Sequence, residues 1–172
     1  MIADEVLQRL VVQVSGMQAE KVIWMNENAP RPIIPYLAIK ISPARRIGKD
    51  WYSDINDIGL QTVIGDREFT LSIQVYGAES PVSYLQDFAD KLQLISVGDR
   101  FRAKGMAIRD SKPVLDISAL MTNTKIEKRA NLDVVIGYRS IQTDNVGIIE
   151  TANIEGRDNG INSPVYTIIA SV

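Results

Sequence analysis

REFTLSIQVY, residues 67–76, alternates without a break: Phe69, Leu71, Ile73 and Val75 are apolar, and Glu68, Thr70, Ser72 and Gln74 between them are polar. Successive side chains on an extended chain point to opposite faces, so this is the pattern of a strand with one face in a core and the other toward water. Gly77-Ala78-Glu79-Ser80-Pro81 comes directly after it. Ser80 suits a helix N-cap, and Pro81 suits the first helical position, where its missing N–H is not needed. The helix so begun carries Val82, Leu85, Phe88, Ala89, Leu92 and Ile95 on one stripe and is expected to end near Val97-Gly98. Sheet and helix therefore meet at this point of the chain.

A second long alternation lies downstream at 127–141, with Ala130, Leu132, Val134, Ile136 and Tyr138 on one side. It is the natural sheet partner of the first. Immediately upstream, Gly65-Asp66 reads as a turn and predicts a β-hairpin over 58–76. YLAIKI at 36–41 and KVIWM at 21–25 are further strands. Pro30, Pro32 and Pro35 between them predict a rigid extended connection at a sheet margin, because proline removes a backbone donor. Ile2, Val6, Leu7, Leu10, Val11 and Val14 recur at helical spacing, and Gly16 stops the helix. Residues 102–107 and 113–117 read as shorter strands around a turn at 109–112, with Leu120-Met121 continuing the apolar face. Residues 148–154 read as a hairpin return and 165–172 as a last strand after the turn Asp158-Asn159-Gly160. Helix, strands, helix, strands is the order of an α+β fold, an antiparallel or mixed sheet with two main α-helices packed on one face, and not of a doubly wound sheet.

The 172 residues predict a single domain, 1–172, large enough to bury roughly 70% of its unfolded surface. Residues 45–57, RRIGKDWYSDIND, lack a sustained period and are expected to be an exposed loop or loose strand. Residues 160–172 are expected to be a C-terminal strand or arm. Apolar content of 45% with 23% charged residues is ordinary globular composition. A net charge of −2 gives no bulk electrostatic reason for tight nonspecific nucleic-acid or membrane binding. MIADEVLQRL at the start is acidic and amphipathic, unlike a signal peptide, and no apolar run reaches the ~20 residues of a membrane helix; synthesis in the cytosol is expected.

The chain has no histidine and no cysteine. Ser-His-Asp and Cys-His nucleophile systems cannot be assembled from it, nor can disulfides or Cys/His zinc sites. Asp54-Ile55-Asn56-Asp57-Ile58-Gly59 invites comparison with a calcium loop but fails at Ile58 and again at Gly65, where a bidentate glutamate belongs. No phosphate-binding glycine motif occurs. No catalytic, cofactor or metal residue is expected. Trp51 and Tyr52 beside Arg45, Arg46 and Lys49 could form a nucleic-acid stacking patch, although such a group is more often an interface anchor or a loop-packing cluster.

Three segments taken in order carry a family resemblance: NENAPRPIIPYLAIKI at 26–41, DREFTLSIQVYGAES at 66–80 and KIEKRANLDVVIGY at 125–138. Together they resemble the neck or tail terminator proteins of tailed bacteriophages. The resemblance implies a small α+β subunit with no active site, assembling into a homo-oligomeric ring, a hexamer. That ring caps the tail and joins it to the head-tail connector, touches the tail tube or sheath, and leaves a lumen through which DNA passes without sequence-specific binding. Such a protein is located in the virion, assembled in the host cytoplasm, with no membrane and no cofactor. The least self-satisfied segments, 45–57 and the tail after Asn159, are the expected contact surfaces, with Arg45, Arg46, Lys49, Trp51, Tyr52 and Tyr166 as interface residues. Other readings are another virion component of similar fold, such as a head-completion or tail-tube protein, and a carbohydrate-binding module using Trp24, Trp51 and Tyr52.

Overall fold

The computed structural model of the chain describes residues 4–28, 30–122, 125–147, 152–155 and 167–170. The first helix, α1 (Asp4–Ser15), buries Leu7, Leu10, Val11 and Val14, and Gly16 ends it at φ 70°. A short strand, β1 (Val22–Trp24), lies parallel to β2 (Tyr36–Ile41), with Val22 opposite Leu37. Parallel neighbours cannot be joined by a tight turn, and the proline-rich segment supplies the crossover, leaving Ile33 and Ile34 exposed. The side-chain amide of Gln8 donates to the Val22 carbonyl at 2.5 Å, so α1 satisfies backbone of β1.

Residues 45–52 are a strand, β3 (Arg45–Tyr52), paired with the next strand, β4 (Leu60–Tyr76); the loop begins only after Tyr52. The hairpin expected over 58–76 with its turn at Gly65-Asp66 is not formed, because β4 runs straight through both residues. The turn lies earlier. The Asn56 side-chain oxygen accepts the N–H groups of Ile58 (3.2 Å) and Leu60 (2.8 Å), and the Asn56 N–H donates to the Leu60 carbonyl at 3.0 Å. The stretch tested as a calcium loop is thus a hairpin loop held by one asparagine. Gly65 has another role: a Cβ there would overlap the Asp50 carboxylate and the Arg67 guanidinium, so glycine leaves room for an ion pair rather than for a turn.

Ser80 is the N-cap and Pro81 opens α2 (Pro81–Leu92), with the Tyr84 N–H donating to the Ser80 carbonyl at 3.0 Å. The helix does not continue to Val97. It breaks after Leu92, and a third helix, α3 (Ile95–Arg102), buries Val97 and Phe101. Arg102, expected to open a strand, instead closes α3, where Arg100 and Arg102 favour the negative end of the helix dipole. The next strand, β5 (Met106–Ser111), runs through the expected turn at 109–112, with a register shift between Ile108 and Asp110 that makes Arg109 the bulged residue. Then come β6 (Leu115–Asp116), β7 (Ala119–Thr122) and β8 (Lys125–Glu127), and β9 (Arg129–Asn145), the long second alternation.

The sheet runs β1-β2-β4-β9-β5, with β3 also on β4 and β6 also on β9. It is mixed: β1 and β2 are parallel, β2 and β4 antiparallel. Gly77 N–H donates to the Lys128 carbonyl at one end of the β4–β9 pair and Asp66 meets Arg139 at the other, as antiparallel strands require. The fold is α+β with three helices rather than two among the described residues.

The chain divides into two compact units. The first, Met1–Asp50 with Gly65–Ser140, contains the main core: Phe69, Leu71, Ile73 and Val75 of β4 and Ala130, Leu132, Val134 and Ile136 of β9 pack in one cluster with the buried residues of all three helices. The second, Trp51–Ile64 with Ile141–Val172, contains the Asn56 loop and a separate antiparallel ribbon of β10 (Ala152–Glu155) and β11 (Thr167–Ala170), Ile154 opposite Ile168. The strand expected at 165–172 is β11; the turn expected at 158–160 lies outside the described residues.

Candidate functional site

Of the expected interface residues, Arg45, Arg46 and Lys49 belong to the first unit and Trp51 and Tyr52 to the second. Tyr166 lies outside the described residues. The Arg45 Nε donates to Glu68 Oε1 at 2.7 Å, and Glu68 is the one charged side chain buried among the described residues. Burying a carboxylate without a partner is costly, so Arg45 is tied to the fold. Arg67 grips Asp50 with two bonds, Nη1 to Oδ1 at 2.7 Å and Nη2 to Oδ2 at 3.0 Å, and Arg46 approaches the same carboxylate at 3.9 Å. The hydrogen bond from Arg67, assisted by the charges of Arg67 and Arg46, holds the Asp50 carboxyl below the ordinary range. Lys49 is exposed and makes no ion pair among the described residues. It comes after Gly48, whose φ of 66° puts a left-handed residue inside the strand. Such a distortion, together with charged side chains, discourages indiscriminate pairing along an exposed strand.

Trp51 and Tyr52 are 59% and 58% exposed. Consecutive strand residues point to opposite faces, so the two rings do not make one stacking platform. Trp24 is half-buried against the core of the first unit, whereas Trp51 and Tyr52 belong to the second.

The face of β4 and β9 that the helices leave open is polar and internally neutralised. Tyr36 and Tyr76 stack with ring centroids 4.8 Å apart, Arg129 lies 4.9 Å from the Tyr76 centroid, and Arg129 is bound to Glu127. Burial raises the Tyr36 hydroxyl pKa, against a lowering effect of Arg31. Arg139 meets Asp66 at 3.6 Å, and Arg109 lies across Gly137, where a Cβ would overlap its side chain. These pairings leave no cationic stripe, among the described residues of this face, of the kind that tracks a phosphate backbone.

The residues that stand out in the structure were only half legible in the sequence. β7 and β8 form a two-stranded hairpin whose Leu120 and Ile126, opposite each other in register, are each 65% exposed, with Met121 beside them also exposed. The Leu120-Met121 pair continued an apolar face in the sequence, but nothing in it said that this face lay outside the core. In the same unit a groove of about 780 Å³ is walled by Leu7, Trp24, Ile39, Ile41, Phe69 and Tyr138 and rimmed by Asp4, Glu5, Glu27 and Lys40. Among the described residues no acidic cluster could hold a metal ion, and no buried side-chain polar atom lacks a partner.

The profile of one protein family, described as phage neck terminator protein, matches residues 3–161. The chain belongs to that family. No curated protein sequence matches it closely enough to count as a relative. As a phage neck terminator it is a structural bacteriophage protein of the virion neck, and the family implies association with other head or tail proteins. Among the described residues of this neck terminator, no helix is long and apolar enough to cross a membrane.

Proposed function

We propose that the whole chain acts as one assembly domain whose copies close into a ring, a hexamer, at the top of the phage tail. The ring ends tail growth and joins the tail to the head-tail connector, and its lumen passes DNA without reading its sequence. It meets the tail tube or sheath on one side and the connector on the other, and performs no catalysis. Assembly takes place in the host cytoplasm and the product resides in the virion. The observation that supports this reading is that the neck terminator family matches residues 3–161, nearly the whole chain, so the family's role belongs to the complete fold and not to a borrowed segment.

Within this reading Lys49, Trp51, Tyr52 and Tyr166 contribute to contacts between subunits or with the tail, and Arg45 and Arg46 contribute chiefly by holding β3 in place through Glu68 and Asp50. Deleting β3 would strip a strand from β4, so point substitutions are the cleaner test. Negative-stain images of the purified protein should show annular particles with an open centre, and Trp51→Ala with Tyr52→Ala should reduce their number while leaving far-UV circular dichroism unchanged. Stacked tubes would identify a tail-tube protein instead. Dispersed monomers at micromolar concentration would count against a self-assembling ring.

A further inference from the structure

The main sheet ends in β1 on one side and β5 on the other. A bare edge strand offers unpaired N–H and C=O groups to any extended segment, and proteins that do not use an edge blunt it with caps, bulges, charges, prolines or extreme shortness. Both ends of this sheet are blunted, and by different means.

β1 is capped. The Met25 N–H donates to the Ile39 carbonyl of β2 at 2.9 Å, so by the alternation of an extended strand Val22 and Trp24 turn their backbone groups away from β2. Three of those four groups are taken by the chain's own residues. The Val22 N–H donates to the Ala19 carbonyl, the Val22 carbonyl accepts the Gln8 side-chain amide at 2.5 Å, and the Trp24 carbonyl accepts the Glu27 N–H at 3.4 Å. An incoming strand would have to break these bonds before making its own.

β5 is distorted instead. Arg109 is its bulged residue, Asp110 and Lys112 form an exposed ion pair beside the bulge, and Pro113 follows with no N–H to offer. The Lys112 N–H is committed inward, to the Asp133 carbonyl at 2.8 Å, and β6 beyond the proline is only Leu115–Asp116. β3, the exposed strand on β4, has its own distortion at Gly48 between Arg46 and Lys49.

We propose that these edges are locked against strand addition, with Gln8 as the lock of β1, so that the sheet of one copy never continues into the next and copies meet through side chains and loops. Strand addition from one edge to the other is a heterologous contact, and such contacts grow into open filaments when the rotation does not close. A subunit whose edges are locked keeps its assembly to the contacts that end in a ring. The consequence for the ring rests on the function proposed above, whereas the lock itself is a property of the single chain.

Gln8→Met keeps the length of the side chain and removes its donor, and Gln8→Lys restores a donor. At the other edge Lys112→Val with Pro113→Thr removes a charge and supplies an N–H at two exposed positions. Light-scattering mass is followed as concentration rises, together with hydrogen–deuterium exchange of peptides covering 19–27 and 106–113. Wild type and Gln8→Lys should exchange at the same rate in both peptides at low and high concentration. Gln8→Met and the β5 double variant should gain mass as concentration rises, with exchange slowed at the altered edge. Slowed exchange at either edge when the wild type assembles overturns the proposal, because copies would then join through their sheets. A folded Gln8→Met protein that melts earlier but keeps the wild-type mass overturns the role of Gln8 and makes it only a tie between α1 and β1. If Gln8→Met does not fold, the β5 double variant decides, and its keeping the wild-type mass at every concentration overturns the lock. A wild type that stays a single chain overturns the ring alone, and the lock is then read from the variants.

Discussion

Leu132 on β9 and Leu120 on β7 belong to the same compact unit and have opposite fates: the first is fully buried, the second 65% exposed. Leu132 lies in an unbroken alternation on a central strand, with β4 on one side and three helices over its apolar face. Leu120 is on a four-residue strand whose only strand partner among the described residues is β8, and no helix of the described chain covers it. A two-stranded hairpin cannot bury an apolar face alone. The same kind of side chain thus stabilises the fold in one place and stays in contact with water in the other.

The largest effect should come from breaking the buried side of this comparison. Ile73 is 1% exposed at the centre of β4, and Ile73→Asp places an unpaired charge in the core. The cost is several kcal/mol, comparable with the whole stability of an ordinary domain. The variant should be insoluble or lack a cooperative melt by circular dichroism; a soluble, folded product that had only lost assembly would place this face at an interface.

A smaller, sharper effect separates two glycines, Gly65 of β4 and Gly137 of β9. Gly65→Ala would push a Cβ into the short Asp50 side chain and its Arg67 partner, and should cost about 1–3 kcal/mol by denaturant unfolding. Gly137→Ala meets the long Arg109 side chain, which can swing aside, and should cost roughly 0.5–1 kcal/mol. Equal costs would mean that the Asp50–Arg67 pair does not depend on the space at Gly65.

The smallest effect is on pH dependence. Hydrogen bonds hold three carboxyls below their ordinary range: Asp50 through Arg67, Asp110 through Lys112 and Asp116 through Ser118. Their folded-state pKa values are depressed, so the stability they contribute is present above the unfolded value of about 3.9 and is lost as pH falls through the folded values. The melting temperature should be level from neutral pH to about pH 5 as far as these groups act, and should fall below about pH 4. Asp50→Asn should make that acid slope shallower. An unchanged slope would show that the Arg67 contact does not stabilise the charged form.

Where period and burial coincide, the sequence was enough. The alternation at 67–76, the stripe of α1 and the pairing of β4 with β9 all come from one face being apolar, and the helix start at Ser80-Pro81 comes from end chemistry that only a helix N-terminus uses. It misled where a residue type has two uses. Gly65-Asp66 carries the chemistry of a turn, but the glycine serves a side chain on a neighbouring strand, and only the register of β3 on β4 reveals that. Arg109 and its neighbours read as a turn, whereas the structure absorbs the irregularity as a bulge in β5. Among the interface residues, Arg45 and Arg46 looked free because Glu68 and Asp50, their partners, are distant or irregularly spaced in sequence. The hairpin at Leu120 was missed for the opposite reason: its residues look like core, and exposure is decided by which helices happen to cover them.

The most direct measurement is the light-scattering mass of the wild-type protein and of Trp51→Ala combined with Tyr52→Ala, each checked for an unchanged circular dichroism spectrum. The wild type should have a mass several times the 19.1 kDa of one chain, and the variant should be a folded protein of lower average mass. A folded wild type that stayed at the mass of one chain would contradict the account, because no ring would then have formed.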